Sequence, residues 1–210
     1  VTIVHVFRNL MVGGNQILAL DLIRSMDTSF THIVVSMFPW DETSERFHAA
    51  GSRVIVGSSP DRRKAKAWLR STLEQLAKET QKTVMLSWFF PFTLRYETLF
   101  AGAIHHLGTA PAPISAQTYA RFLLSSFRKR GPQSSIVVVP SRHVKDELKK
   151  VPLPRHTRVE VVPNGIHVEA FAALSRVKKK KKRVVSMIGR LDGSKRFDLF
   201  LELAARVSAQ

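Results

Sequence analysis

The sequence contains no cysteine, which excludes disulfide bonds and thiolate metal sites and is typical of a reducing compartment. It also lacks an apolar run of the roughly 18–20 residues that a membrane-spanning helix needs. The opening stretch, VTIVHVFRNL, has neither the charged start nor the small-residue cleavage site of a signal peptide, and it predicts a strand instead. We therefore expect a cytoplasmic protein.

Acidic residues are scarce relative to basic ones. The chain has 33 Lys and Arg against 16 Asp and Glu, which gives a net charge of +17 and a pI near 11.0. The excess lies in residues 61–210, which contain 29 of the basic residues and 11 of the acidic ones. Such a field attracts nucleic acid, anionic lipid headgroups or phosphorylated ligands, and charge alone does not choose among them.

Runs rich in β-branched residues alternate with segments of helical period along the chain. The predicted strands are 2–7, 32–38, 53–56, 83–89, 136–140, 158–162 and 183–188. The predicted helices are 16–26, 61–79, 93–106, 141–150 and 195–207. Strands that alternate with helices indicate an α/β fold with a doubly wound parallel sheet, covered by helices on both faces.

Five consecutive lysines, 178–182, interrupt this alternation. A block of like charges repels itself and is usually solvated, so it predicts a linker, with a dedicated polyanion-binding patch as the alternative. We predict a Rossmann-like N-terminal domain at 1–171, a basic linker at 172–183, and the first strand–turn–helix unit of a second domain at 184–210. Because so short a unit cannot fold alone, we expect the second domain to be incomplete in this chain.

Three turns have the composition of ligand-binding loops. Gly13 and Gly14 follow the first strand and open a helix, where backbone N–H groups can approach a ligand. Asn164 and Gly165 follow a later strand in VVPNGI. In GRLDGSKRF, two cations flank a helix start and suit a diphosphate. Each turn taken alone is equally compatible with an ordinary surface turn.

Several other kinds of site are not supported by the spacing of residues. The eight histidines show no metal-ligand pattern, so we expect no metal site. The chain has no Walker loop and no G-x-G-x-x-G fingerprint. No stretch resembles an RNA- or DNA-reading motif. A non-enzymatic module that binds nucleic acid through the basic surface is nevertheless an alternative.

The order of the three turns resembles the retaining GT-B glycosyltransferases of glycosyltransferase family 4. The family's G-G-x-E-like turn corresponds here to Gly13, Gly14, Asn15 and Gln16. Its V-x-N-G-[IV]-D-like segment, which closes the N-terminal half, corresponds to Val162, Asn164, Gly165, Ile166, His167 and Phe171. Its V-G-R-L-x-x-x-K-G-x-D segment corresponds to Ile188, Gly189, Arg190, Leu191, Lys195, Arg196 and Asp198. The segment VVVPSRHVKDEL, 137–148, matches the family's strand–Ser–helix unit.

The resemblance implies a nucleotide-sugar donor bound between two Rossmann-like domains, as a substrate and with no cofactor. Arg190 and Lys195 would hold the donor diphosphate, and the Gly13–Gly14 and Asn164–Gly165 turns would lie near the donor. The acceptor would bind the N-terminal domain. The cations that suit a phosphorylated or lipid-linked acceptor, or an anionic membrane surface on the inner face of a membrane, are Arg62, Arg63, Lys64, Arg128, Lys129 and Arg130.

The chain departs from the family pattern at several positions. Gln16 replaces the usual Glu, His167 the usual Asp, and Arg196 the usual Gly, while Gln117 aligns with the family's functional His. The segment that grips the donor sugar would lie beyond residue 210, so we expect little or no turnover from this chain alone and name no catalytic residue. The alternatives to a hexosyltransferase-like enzyme are an inactive glycosyltransferase-like partner subunit and the module that binds nucleic acid. A truncated chain, a natural fragment or a half completed by another chain would each account for the incomplete second domain.

Overall fold

The computed structural model describes residues 1–79, 82–88, 92–108, 135–150, 153, 157–166, 168–169, 185–189 and 193–208. The chain divides into two compact units, Val1–Gly165 and Ile166–Gln210. The predicted basic linker, 172–183, lies outside the described residues. Among the described helices, none is long and apolar enough to cross a bilayer.

The first unit contains a seven-stranded sheet in which every pairing is parallel. The strands are β1 Thr2–Phe7, β2 Thr31–Ser36, β3 Arg53–Val56, β4 Thr83–Ser87, β5 Gly102–His106, β6 Ser135–Val139 and β7 Thr157–Val161. Their spatial order is β3-β2-β1-β4-β5-β6-β7. This topology confirms the predicted doubly wound α/β fold.

Helices cover both faces of this sheet. Among the described residues of the first unit, the helices are α1 Gly14–Ser25, α2 Ser44–Ala49, α3 Arg62–Glu79, a 3₁₀ segment at Phe92–Leu99, and α4 Arg142–Lys149. Strand β1 shows the two-sided burial, since Val4 and Val6 pack with α3 and the 3₁₀ segment while Ile3 and Phe7 pack with α1 and α2. All six residues of β1 are buried, as expected for a central parallel strand.

The helix predicted over 93–106 is wrong. The structure has the 3₁₀ segment there, followed by strand β5, which pairs with β4 and β6. This strand was not predicted because two buried histidines, His105 and His106, interrupt the apolar pattern that is typical of a central strand. His105 is accommodated by partners from the 3₁₀ segment: its Nε2 lies 3.2 Å from Glu97 Oε1, and its Nδ1 lies 3.4 Å from Thr93 Oγ1.

The second unit is described from a few residues and one helix. Residues 185–188 are not in a strand, although a strand was predicted over 183–188. A strand needs a neighbour to satisfy its backbone, and none of the described residues of this unit provides one. A 3₁₀ turn at Gly193–Lys195 precedes helix α5 at Phe197–Ser208, close to the helix predicted over 195–207.

Candidate active site

The strand order locates a crevice in the first unit. In open parallel sheets, ligands bind outside the carboxyl ends of the strands, at the point where the strand order reverses direction. That point here lies between β1 and β4, because β2 and β3 continue on one side and β5 to β7 on the other. The segments that leave the two strands are residues 8–14, called the glycine loop below, and the segment beginning at Trp88.

The glycine loop ends in an uncapped helix. Gly13 is the N-cap of α1 and provides no side-chain hydrogen bond, and the first turn of α1 contains no acidic residue. A Cβ added at Gly14 would meet no atom within 4 Å, so the space beside the first turn is open. The unpaired N–H groups and the positive end of the helix dipole therefore favour an anionic ligand at this point.

Neighbouring segments fix the position of the glycine loop. Leu10 N–H donates to Trp40 O at 2.9 Å, and Thr43 Oγ1 donates to Leu10 O at 2.7 Å. Val12 N–H donates to Glu42 Oε2 at 2.9 Å. Gln16 Nε2 donates to Asn9 O at 2.9 Å, so the side chain that replaces the family's Glu closes the loop on itself. The loop is therefore held in place by the protein alone.

Asn15 joins this loop to the ends of β4 and β5. Its Nδ2 donates to Trp88 O at 3.3 Å. Its Oδ1 lies 3.1 Å from the position that a Cβ of Gly108 would occupy, which is a tight approach. The segments that follow β1, β4 and β5 thus meet at one place.

His106, at the end of β5, faces this meeting point. The centroid of its ring lies 4.8 Å from that of the Trp88 ring, and its Nε2 donates to Asn164 Oδ1 at 3.3 Å. With the proton on Nε2, Nδ1 carries the lone pair, and no residue in the described part of the chain bonds it. Burial lowers the pKa of His106, so the imidazole is neutral at neutral pH.

A second histidine lies behind Trp88. The Trp88 indole Nε1–H donates to His5 Nδ1 at 3.3 Å, so the proton of neutral His5 lies on Nε2. His5 Nε2 then donates to His32 Nδ1 at 3.0 Å. Burial, with a smaller contribution from His32, lowers the pKa of His5 to about 3. His5 therefore stays neutral at neutral pH and accepts the hydrogen bond of the Trp88 indole. This bond holds the Trp88 ring, against which the His106 ring packs.

The structure brings together some of the predicted site residues. Asn15, which follows the Gly13–Gly14 turn, lies close to Gly108. His106 also lies close to Gly108, and it bonds Asn164. Gly165 follows Asn164, is exposed, and has open space around its Cβ position. Arg62, Arg63 and Lys64 are exposed in the first turn of α3, which follows β3 and so begins at the same carboxyl edge of the sheet.

The other predicted site residues lie in the second unit or outside the described residues. Lys195 is exposed at the end of the 3₁₀ turn. Arg196, which replaces a family Gly, has φ of 52°, a conformation that glycine adopts more easily. Arg190, Gln117, His167, Arg128, Lys129 and Arg130 are not among the described residues.

Sequence reasoning missed His106. The two adjacent histidines before Gly108 were read as the end of a helix, and the functional His of the family was aligned with Gln117 instead. The available signal was the run GAIHH followed by Leu107 and Gly108, which has the length of a strand ending in a glycine-containing loop. Across the described residues, no three His, Asp or Glu side chains are grouped closely enough to hold a metal ion.

The buried His5 predicts a stability that falls in acid. Unfolded His5 binds a proton below its ordinary pKa of 6.5, whereas folded His5 does so only near pH 3, so its contribution is complete above pH 6.5 and is lost as the pH falls towards 3. Between about pH 7.5 and about pH 5, we expect His5 to remove about 2 kcal/mol from the free energy of unfolding. The lowered pKa values of His32 and His106 act in the same direction.

Urea unfolding across this pH range measures the effect. The variant His5→Gln should flatten the pH dependence, whereas His48→Gln, at an exposed position of α2, should keep the full dependence. Equal slopes for the parent chain and His5→Gln would contradict the assignment.

Residues 12–170 match the sequence model of Glycosyltransferase Family 4. The matched range is more than half of the chain, and it contains Gly13, Gly14, His106 and Asn164. No curated protein matches the chain. The fold, the crevice at the reversal of strand order and this match agree, and the chain belongs to glycosyltransferase family 4.

Proposed function

We propose that the chain forms the acceptor-side domain and the first donor-side unit of a retaining glycosyltransferase. This enzyme would move a hexosyl group from a nucleotide-sugar donor to an acceptor. Family membership implies glycosyl transfer with a donor and an acceptor. The observation that carries the proposal is the crevice in which the open N-terminus of α1, His106 and Asn164 meet.

The reaction requires stabilisation of negative charge. The bond between the anomeric carbon and the diphosphate oxygen breaks, and the nucleoside diphosphate leaves with the electron pair. An acceptor hydroxyl oxygen forms the new bond to the anomeric carbon, and its proton passes to the departing diphosphate. Hydrogen-bond donors and cations that are already in place stabilise the charge that develops on the leaving group. In this proposal Arg190 and Lys195 provide cations for the diphosphate. In the first unit, the uncapped first turn of α1 offers N–H groups to an anionic part of a substrate.

His106 is proposed as the histidine of the site, in place of Gln117. Its neutral imidazole has one nitrogen committed to Asn164, and the other can accept a hydrogen bond from a sugar or acceptor hydroxyl. Asn164 and Trp88 fix the orientation of the ring, and because Nδ1 is buried, a hydroxyl reaches it only when the residues that cover it move aside. Asn164 acts in this account through His106.

The test of this role is sugar transfer by whichever form containing this chain is active. His106→Ala should lower kcat/KM by about tenfold or more, the equivalent of about 1.4 kcal/mol of transition-state stabilisation. Asn164→Ala should cause a smaller loss, because it removes only the orienting acceptor. His48→Ala, on the exposed side of α2, is the matched control and should be unchanged.

The same reaction tests retention. NMR of the anomeric proton of the product should show the configuration of the donor. A product of inverted configuration would contradict the retaining mechanism, and full activity of His106→Ala would contradict the role of His106.

The diphosphate assignment predicts different effects for two groups of cations. A charge-assisted contact contributes roughly 1.5–3 kcal/mol, so Arg190→Ala and Lys195→Ala should each lower kcat/KM by about tenfold or more. Changing lysines 178–182 to Ser should leave the KM for the donor nearly unchanged, because a solvated run of lysines does not hold a diphosphate in place. Donor titrations at one ionic strength compare the variants, and the opposite pattern would refute the assignment.

A further inference from the structure

The segments that follow β1 and β2 run side by side beyond the carboxyl edge of the sheet. Leu10 N–H donates to Trp40 O at 2.9 Å, and Leu10 forms a parallel bridge with Asp41. Residues 10–12 and 40–42 therefore form a short paired structure, which is called the Trp40 ledge below. Its first segment leads directly into the start of α1.

Large apolar side chains of the Trp40 ledge are exposed to solvent. The exposed fractions are 55% for Val12, 44% for Trp40 and 38% for Met11. The buried Phe38 ring packs against the indole of Trp40, with the two ring centroids 4.9 Å apart. The backbone beneath these side chains is fixed by the hydrogen bonds that join the two segments. Exposed apolar side chains grouped on an ordered surface are typical of a place that binds a ligand or a partner.

The charges around the Trp40 ledge favour an uncharged ligand. Residues 1–60, which contain the ledge, have four Lys and Arg against five Asp and Glu, so they lack the basic excess of the rest of the chain. The two carboxylates of the ledge bond backbone groups: Glu42 Oε2 accepts from Val12 N–H at 2.9 Å, and Asp41 Oδ1 accepts from Ser44 N–H at 2.9 Å. The local charge therefore gives no attraction for a phosphate or for an anionic bilayer.

We infer that the Trp40 ledge binds an alkyl chain of the acceptor, an inference that rests on the proposed function. Val12 directly precedes the N-cap of α1, so the ledge borders the crevice. The indole of Trp40 offers a large flat apolar area, and the unbranched side chain of Met11 adapts to the shape of a flexible chain. An alkyl chain suits these side chains better than a sugar ring does, because it has no hydroxyl groups that lose water on contact.

Equilibrium dialysis with radiolabelled n-octyl β-D-glucoside, kept as monomers below its critical micelle concentration, tests the site directly. The test variants are Trp40→Ala and Met11→Ala. The control is Leu22→Ala, because Leu22 is 37% exposed, almost the same fraction as Met11. Leu22 lies in the third turn of α1, about 12 Å along the helix from its first residue. Each variant therefore removes one exposed apolar side chain, and only the control removes it away from the ledge.

We expect Trp40→Ala to weaken the binding of octyl glucoside by about tenfold or more and Met11→Ala by about threefold, whereas Leu22→Ala should change it by less than about twofold. The parent should bind n-hexyl β-D-glucoside about tenfold more weakly than octyl glucoside, because each buried methylene strengthens binding by about fourfold. Equal binding of the two glucosides, equal weakening in all three variants, or a parent that does not bind would overturn the inference.

The comparison of Met11→Ala with Leu22→Ala decides the question if Trp40→Ala does not fold. The dialysis does not depend on sugar transfer. A chain that passes this test but transfers no sugar refutes only the proposed function, and a chain that transfers sugar but fails this test refutes only the inference.

Two further probes distinguish an alkyl chain from other occupants of the Trp40 ledge. Glucose should bind far more weakly than octyl glucoside. If glucose binds as tightly and Trp40→Ala removes this binding, the ledge holds a sugar ring and the inference is overturned. Phosphatidylcholine vesicles should leave the tryptophan emission of the parent unchanged. A blue shift with vesicles that Trp40→Ala abolishes would assign the ledge to insertion into a bilayer and would also overturn the inference.

Discussion

The hydrogen bond from the Trp88 indole to His5 Nδ1 is the contact on which the geometry of the crevice depends. An indole N–H buried without an acceptor is costly, and only a neutral His5 can accept its proton. The same His5 donates to His32, so the bond connects β1 and β2 with the end of β4. Trp88 then supports the His106 ring and accepts from Asn15 through its carbonyl oxygen. Protonation of His5 would therefore disturb the positions of both the glycine loop and the His106 ring.

The parallel sheet explains why several separate features lie at one edge. Every segment that leaves the carboxyl end of a strand begins there, including the glycine loop after β1, α3 after β3, the 3₁₀ segment after β4 and the segment after β5. Trp88, at the crevice, packs on the face that is covered by α1 and α2.

Local patterns predicted the elements that depend on local chemistry. Strands β1 and β3 have the predicted bounds, and α3 begins one residue after its capping residue, Asp61. These features depend on residues that are adjacent in the sequence, so local patterns are enough to predict them. Strand β5 was missed because its histidines are acceptable in the core only with partners that are distant in sequence. His106 needs Asn164, and His105 needs Glu97 and Thr93. The contact between Lys66 of α3 and the Phe92 ring was missed for a similar reason, since residues 93–106 were assigned to a regular helix and the contact depends on packing.

Nitrogen NMR of the His5 imidazole across a pH titration is the most direct test of this account. His5 should remain neutral at about pH 5, with its proton on Nε2 and with Nδ1 accepting the Trp88 indole proton, because its pKa is lowered to about 3. A His5 that titrates near the ordinary value of 6.5, or that carries its proton on Nδ1 when neutral, would contradict it.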